Sequence, residues 1–220
     1  WGKKKKFREG QAEQILDDLF FHFIDTAKKL QPKVVVAENV KGLIIGKARG
    51  YVKQIIDLFH VAGYDTQLFL LNAAFMGVPQ RRERTFFIAR RKDLGLPKIK
   101  LEFNETPISV KSAIEDVDNT GQQIQVATPE SERLWRAIKP GQRFSVAHER
   151  GFRFNEIKLH PNMPANTLPA SCPLWHWDTP RQLTGREYAR IQTFPEDFDF
   201  VDQKVNYVCG MSVPPFMMQR

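Results

Sequence analysis

The residues best suited to chemistry lie at positions 79–90, where a glutamine and several arginines run directly into strand-forming apolar residues. Successive side chains of a β-strand point to opposite faces, so one continuous strand would place Gln80, Arg82 and Arg84 on the same face. Three long hydrogen-bond donors on one face suit an anionic or planar polar ligand. The alternative is an exposed edge strand with a charged rim, which needs no ligand.

A second polar group, Glu38 and Asn39, directly follows the apolar run Val-Val-Val-Ala at positions 34–37. Such a run of β-branched residues is typical of a strand buried in a parallel sheet. Open α/β sheets bind ligands at the carboxyl ends of these strands, so Glu38 is a candidate functional carboxylate. Equally, Glu38 could simply cap the turn that follows.

Helices and strands alternate around these residues in the first part of the chain. Apolar spacing predicts helices at about 13–30 and 50–62, and apolar runs predict strands at about 34–37, 66–71 and 80–90. This alternation indicates an α/β sheet whose last two strands form an antiparallel hairpin at its edge.

The remainder divides into an irregular segment and a regular one. Residues 93–180 are punctuated by proline and glycine, with a short helix at about 131–138, and indicate a small, loop-rich domain. Thr184 and Glu187 then have the spacing of a capping box, and residues 210–215 are expected to open the last helix. We therefore predict one domain over residues 1–92, an inserted domain over 93–180 and a return to the first over 181–220.

The charge distribution favours a polyanionic partner. The net charge is +8, and residues 1–92 alone hold 18 Lys and Arg against 9 Asp and Glu. A basic first part is expected of a protein that lies along nucleic acid. No apolar run reaches the roughly 18 residues of a membrane span. The two cysteines, Cys172 and Cys209, form no disulfide framework or metal-ligand pattern, which fits a reducing, cytoplasmic setting.

Four motifs, in this order along the chain, resemble those of the cytosine-5 DNA methyltransferases. They are Glu38-Asn39-Val40 after a strand, Gln80-x-Arg82-x-Arg84, the segment from Arg181 through Thr184, Glu187 and Gln192 to Pro195, and Gly210-x-Ser212-Val213-Pro214. The resemblance implies the C-terminal part of a Rossmann-like, S-adenosylmethionine-dependent methyltransferase domain, of bacterial or phage type and associated with the nucleoid. It also implies that residues 93–180 are its target-recognition domain.

The resemblance further implies a reaction at carbon 5 of a cytosine flipped out of double-stranded DNA. In such enzymes a thiolate adds to carbon 6 while the motif glutamate, here Glu38, acts on the adjacent ring nitrogen. Arg84 matches the arginine that holds the carbonyl oxygen of the base, and Arg82 matches one that orients the site. Asn39 would support the pocket, and Arg84 would face Glu38 across the base.

Contacts to DNA and to the methyl donor are implied in the same way. Ser212 and Val213 match the cofactor-binding motif, although Met211 stands where the family usually has asparagine. Base edges would be read by loops of the recognition domain. The residues expected to contact DNA are Gln80, Arg143, Arg150, Arg153 and Arg181, with His148 a further candidate.

The sequence departs from the family at two catalytic positions. It contains no Pro-Cys-Gln nucleophile motif and no glycine-rich turn for the methyl donor, and Cys172 and Cys209 lie in the wrong contexts to replace the nucleophile. We therefore expect a C-terminal portion that is inactive without its N-terminal part or a complementary subunit. The alternative is a non-catalytic DNA-binding subunit or a degenerate relative.

Overall fold

The computed structural model describes residues 19–45 and 49–220, and their contacts form two compact units. The first unit comprises the described residues up to 71 together with 83–101, and the second comprises 72–82 and 102–220. The chain passes from the second unit to the first between Arg82 and Glu83. The stretch of arginines at positions 81–84 is therefore divided between the units.

The first unit is a three-stranded sheet with two helices. The strand order is β1-β4-β2, and β1 and β4 are antiparallel. The elements are α1 (Leu19–Leu30), β1 (Val34–Val40), α2 (Arg49–Val61), β2 (Tyr64–Asn72) and, after the short strand β3 (Gln80–Arg81) of the second unit, β4 (Glu83–Arg91). The expected α/β class is confirmed. Because β4 is the central strand of this sheet, its interpretation as an edge strand was wrong.

The helices cover one face of this sheet. Val35 and Ala37 are buried in a core with Ile24, Phe59 and Phe87. The alternate residues of β1 stay exposed, with Val34 at 43% and Val36 at 48%. The prediction that residues 34–37 form a strand buried in a parallel sheet was therefore wrong, because β1 pairs antiparallel with β4 and the described residues pack helices against only one face.

The stretch of arginines does not form one continuous strand. β3 ends at Arg81, the N–H of Arg82 bonds to the carbonyl of Gln80 at 3.1 Å, and β4 begins only at Glu83. β3 instead pairs in parallel with β6 (Ala165–Asn166), with Gln80 opposite Ala165. The expected single face of Gln80, Arg82 and Arg84 is thereby lost.

The second unit is rich in loops, as expected for residues 93–180. Its remaining elements are α3 (Val110–Ile114), α4 (Pro129–Ala137), β5 (Ile157–Lys158), β7 (Leu174–Trp175), α5 (Gly185–Gln192), α6 (Val205–Met211) and α7 (Pro215–Gln219). One core joins Val110 and Leu168 to Tyr188, Ile191 and Cys209. Since that core spans both segments, residues 181–220 group with residues 102–180 and not with the first unit.

Local signals near the end of the chain were largely reliable. The capping box is confirmed, because the Thr184 side chain accepts from the Glu187 N–H and the Glu187 carboxylate accepts from the Thr184 N–H. Gly210, however, lies in α6, and the last helix starts only at Pro215. No helix among the described residues is long and apolar enough to cross a membrane.

Candidate active site

The first unit joins Glu38 and Arg84 in an ion pair. In the β1–β4 register Val40 is opposite Arg84 and Glu38 is opposite Phe86, so Glu38 and Arg84 share the sheet face that the helices leave open. Arg84 Nε lies 2.9 Å from Glu38 Oε1, and the side chains are 13% and 31% exposed, respectively. Two groups expected on opposite sides of a base are thus in direct contact.

The Arg84 guanidinium is further fixed by the backbone of the preceding residue. Its Nη1 donates to the carbonyl of Glu83 at 2.8 Å, so the side chain turns back along β4. Burial lowers the pKa of Arg84, and the charge of Glu38 partly opposes that shift. At neutral pH the pair therefore presents a cation and a carboxyl group side by side at a partly exposed surface.

Asn39 has a different position from the one expected. It lies opposite Thr85 in the register, so it belongs to the other face of the sheet from Glu38. Its Oδ1 accepts from the Val40 N–H at 2.8 Å. Asn39 therefore shapes the end of β1, and its support of the pocket stays a prediction.

Arg82 is buried in the second unit, with only 1% of its surface exposed. Its Nη2 donates to the carbonyl of Gly210 at 2.8 Å, and its Nη1 lies 3.5 Å from the carbonyl of Leu168. Gly210 fits here because an added Cβ would come within 2.4 Å of the backbone of Ala170. Arg82 thus ties the segment before β4 to the loop at Leu168 and to α6 at Gly210.

Gln80 begins a buried chain of hydrogen bonds. It has no exposed surface, its Oε1 accepts from the Leu168 N–H at 3.0 Å, and its Nε2 donates to Gln192 Oε1 at 2.6 Å. Gln192 Nε2 then donates to both the carbonyl and the hydroxyl of Ser212, each at 3.0 Å. Both ends of the Gln80 amide are occupied, which argues against its predicted contact with DNA.

Gln192 was named only as a member of the third motif, and no contact was predicted for it. It lies in the third motif, at the end of α5, and is fully buried. Its amide is the link between Gln80 in the second motif and Ser212 in the fourth. Its place in a motif was the only indication in the sequence, and its hydrogen bonds to Gln80 and Ser212 are seen only in the structure.

The predicted cofactor residues follow α6. Ser212 and Val213 are partly exposed, and the Ser212 hydroxyl is held by Gln192 and lies 3.4 Å from the carbonyl of Cys209. Cys209 itself is buried, and burial raises the pKa of its thiol to about 12. A thiol in this state is a poor nucleophile, in agreement with the structural role expected of it.

Two of the arginines expected on DNA make ion pairs within the second unit. Arg181 donates two hydrogen bonds to the buried carboxylate of Glu187, at 2.8 and 2.7 Å. Burial alone would raise the pKa of Glu187, but the hydrogen bonds from Arg181 and from the Thr184 N–H lower it overall. Arg153 is paired in the same two-point manner with Glu156, at 2.7 and 2.6 Å.

The other two arginines are more accessible. Arg150 is exposed, and Arg143 is partly exposed, with its guanidinium 4.0 Å from the ring centroid of Phe154. The predicted DNA contacts thus include two accessible arginines and three residues held inside the unit, namely Gln80, Arg153 and Arg181. All five assignments remain predictions, and those of Arg143 and Arg150 fit the geometry best.

The whole chain, residues 1–220, matches the family model of the C-5 cytosine-specific DNA methylases. The chain belongs to this family. The resemblance to this family, predicted from the four motifs, is therefore confirmed.

Bacterial members of the family resemble the chain along most of its length. It is 30% identical to the Type II methyltransferase M.NgoPII of Neisseria gonorrhoeae over 96% of this chain and 70% of that protein. It is 32% identical to M.NgoFVII of the same organism over 89% of this chain and 58% of that protein. The chain thus spans between 58% and 70% of the length of these two relatives.

Solved structures of other methyltransferases have the same fold. A DNA modification methyltransferase encoded within an E. coli prophage superposes with a TM-score of 0.73 at 22% identity, over 93% of this chain and 72% of that one. A Spodoptera frugiperda DNMT2 variant gives a TM-score of 0.62 at 18% identity, over 98% of this chain and 74% of that one. The expected fold class is confirmed by these likenesses.

Proposed function

We propose that this chain provides the base pocket and the target-recognition surface of a DNA cytosine-5 methyltransferase. The observation that carries the proposal is the Glu38–Arg84 ion pair on the open face of the sheet, in a chain of this family. An acid and a guanidinium side by side match two hydrogen-bond acceptors of cytosine that are bonded to the same carbon, the ring nitrogen N3 and the carbonyl oxygen O2. The substrate is double-stranded DNA, from which the target base is flipped out.

In this proposal Arg84 and Glu38 each bind a different atom of the base. When a base enters, Arg84 exchanges the Glu38 carboxylate for O2 and donates a hydrogen bond to it. Glu38, released from the cation, takes up a proton from solvent and donates a hydrogen bond to N3. Withdrawing electrons at N3 makes carbon 6 electrophilic, so that a thiolate can add there and carbon 5 becomes nucleophilic. After methylation, loss of the proton from carbon 5 and departure of the thiolate restore the aromatic ring.

The remaining motif residues act by holding the site in place. Arg82 fixes the segment that leads into β4 two residues before Arg84, and Asn39 fixes the end of β1 one residue after Glu38. Rigid support of this kind keeps a reacting pair in its productive geometry. Both residues are positioning residues in this account.

The methyl donor of this family is S-adenosylmethionine, which supplies an electrophilic methyl group when it is bound. The residues of this chain that would hold it are Ser212 and Val213, which are partly exposed beside the buried network. Gln192 fixes the Ser212 hydroxyl and carbonyl, so the segment is ordered by bonds from inside the unit. A preformed backbone segment with one hydroxyl suits part of such a ligand, and the remaining contacts belong to the rest of the enzyme.

The nucleophile and the glycine-rich turn would come from an N-terminal part of the enzyme or from a complementary subunit. The sequence contains no Pro-Cys-Gln motif, and Cys209 is buried with a raised pKa. We therefore propose that residues 1–220 bind DNA but do not transfer methyl groups by themselves.

The test is transfer of a labelled methyl group to unmethylated DNA, with the upstream coding sequence restored. Glu38→Gln is expected to lower the rate at least about 100-fold, because the amide cannot deliver a proton to N3. The matched control is Glu83→Gln, which removes the surface ion pair to Lys41 at 2.8 Å and is expected to transfer at the normal rate.

Two results would count against the proposal. Transfer by Glu38→Gln within about threefold of the unaltered enzyme removes the role of Glu38. DNA binding without any transfer by the restored enzyme would favour the non-catalytic DNA-binding subunit instead.

A further inference from the structure

Two phenylalanines of the second unit stand out because they are exposed without a covering element. Phe152 and Phe154 each have 60% of their surface accessible. Both lie in the loop of residues 148–156 that precedes β5, which we call the Phe loop. Large aromatic side chains contribute most to the stability of a fold or an interface when they are buried. Two exposed ones in a single loop therefore point to a binding partner.

The residue between them is anchored in the opposite direction. Arg153 has a left-handed backbone, with φ of 64°, and its side chain makes the two-point ion pair with Glu156. Its guanidinium also lies 4.9 Å from the ring centroid of the buried Phe144. The side chain of Arg153 therefore points into the unit, and its two neighbours are the residues left facing solvent.

The rest of the Phe loop is also held by its own hydrogen bonds. The Gly151 N–H donates to the carbonyl of His148 at 2.8 Å, and the Arg150 N–H donates to His148 Nδ1 at 3.2 Å. At the base of the loop the Phe144 N–H donates to the carbonyl of Glu156 at 3.0 Å. A loop that is already ordered loses little entropy when it binds.

The surroundings of the Phe loop favour nucleic acid as its partner. Arg143 packs on the ring of Phe154, and a recess of about 310 Å³ beside it is lined by Arg81, Asn155, Asn166 and Thr167 among others. Arginine and asparagine are the side chains that most often bind base edges, and aromatic rings stack on base faces. An apolar protein partner would offer no hydrogen-bond acceptors or negative charge to these arginine and asparagine side chains.

We propose that Phe152 and Phe154 insert at an opened base step of the bound duplex and stack on the base faces exposed there, with Arg143 and the adjoining recess beside the same bases. The inference rests on the proposed function, because it takes DNA as the substrate. It adds a contact that no motif of the chain predicts, since neither phenylalanine belongs to any of the four motifs. Opening the base step costs stacking energy between the bases, and contact of the phenylalanine rings with the exposed base faces offsets that cost. Because every base has such a face, the contact operates on any base sequence.

The first experiment measures the affinity of the chain for a 40-base-pair duplex of randomised sequence at one fixed salt concentration, by fluorescence anisotropy. Each of Phe152→Ala and Phe154→Ala is expected to weaken binding at least about fivefold. Phe152→Leu and Phe154→Leu keep most of the apolar surface but lack a ring, and are expected to behave like the alanine variants. Tyr207→Ala removes an exposed aromatic residue of α6 and serves as the matched control, with no expected loss.

The second experiment observes stacking directly. In Phe154→Trp the introduced indole is expected to lose about half or more of its emission when DNA saturates the protein, beyond any change in the unaltered chain. Since the position is 60% exposed, the variant should fold normally, and an unchanged urea midpoint checks this.

The outcomes separate this inference from the proposed function. If the unaltered chain binds DNA while the alanine variants bind equally well and the indole is not quenched, stacking by the Phe loop is wrong and the proposed function stands. If leucine restores full affinity, the contact is apolar and not stacking, which also overturns the inference. If the unaltered chain does not bind DNA, both the proposed function and the inference fail.

Discussion

Arg82 and Arg84 are two residues apart in one motif, yet the two units use them in opposite ways. Arg82 is buried, and its guanidinium binds the backbone carbonyls of Leu168 and Gly210 in the second unit. Arg84 is partly exposed in the first unit, where it pairs with the carboxylate of Glu38. A charge that is sealed inside the protein can hold the fold, whereas a charge at an open face is free to meet a substrate.

The partners of each arginine explain the difference. Backbone carbonyls do not titrate and cannot leave, so the bonds of Arg82 are permanent parts of the native state. A carboxylate can change its protonation state or exchange its partner, and in the proposed function the ion pair of Arg84 therefore opens toward a base. We infer that this one motif contributes to both architecture and chemistry.

The largest effect on stability is expected for Arg82→Met. The change removes a buried guanidinium and leaves two carbonyls without donors, which should lower the free energy of unfolding by about 3 kcal/mol or more. Urea unfolding followed by tryptophan fluorescence, to which the buried Trp135 and Trp175 of the second unit contribute, measures it. Arg84→Met is the comparison, with an expected change of at most about 1 kcal/mol because its ion pair is partly exposed. Equal losses in the two variants would remove the distinction between them.

A smaller loss, of about 2 kcal/mol, is expected for Gln192→Leu. The leucine cannot accept from Gln80 or donate to Ser212, so the buried amide of Gln80 loses a partner. The same urea titration reports the change. The control is Gln203→Leu at an exposed position, where the midpoint should not move. If the two leucine variants were equally stable, the chain from Gln80 to Ser212 would contribute nothing.

The smallest effect is a pH dependence that comes from His176. Burial, assisted by the nearby charge of Arg181, lowers the pKa of this imidazole to about 4. The unfolded chain therefore binds more protons than the folded one between about pH 4 and pH 6.5, and the free energy of unfolding falls as the pH decreases through this window. We expect a loss of about 1–2 kcal/mol, because partial exposure of the ring reduces the full effect.

The control for this prediction is His176→Asn. Nδ1 of His176 accepts from the Asp178 N–H at 3.1 Å, and an asparagine oxygen can accept the same bond without titrating. The variant should therefore lose stability less steeply between pH 7 and pH 4. An identical slope in both proteins would assign the pH dependence to other groups.

Local patterns in the sequence predicted local structure well. The capping box of Thr184 and Glu187 involves residues within one turn of each other. The helix predicted at about 50–62 is α2, which ends at Val61, and Gly63 with a φ of 95° follows it. Such signals depend on hydrogen bonds and backbone angles at helix ends, which residues close in sequence determine. The α/β class followed from the same short-range patterns.

The interruption of the strand at Arg82 could not be predicted in this way. Its partners Leu168 and Gly210 lie 86 and 128 residues further along the chain, so nothing near Arg82 distinguishes it from Arg84. The exposed face of β1 was missed for a related reason, since a run of valines does not reveal what packs on each side. The Glu38–Arg84 pair was expected at one site, but its direct contact depends on the register between two strands.

The most direct test of this account is methyl transfer by Arg84→Met, with the upstream sequence restored and the urea midpoint measured on the same preparation. If Arg84 holds the base and Arg82 holds the fold, transfer falls at least about 100-fold while the free energy of unfolding changes by at most about 1 kcal/mol. Transfer within about threefold of the unaltered rate would contradict the account. A fall in transfer accompanied by a large loss of stability would contradict it equally, because Arg84 would then be structural.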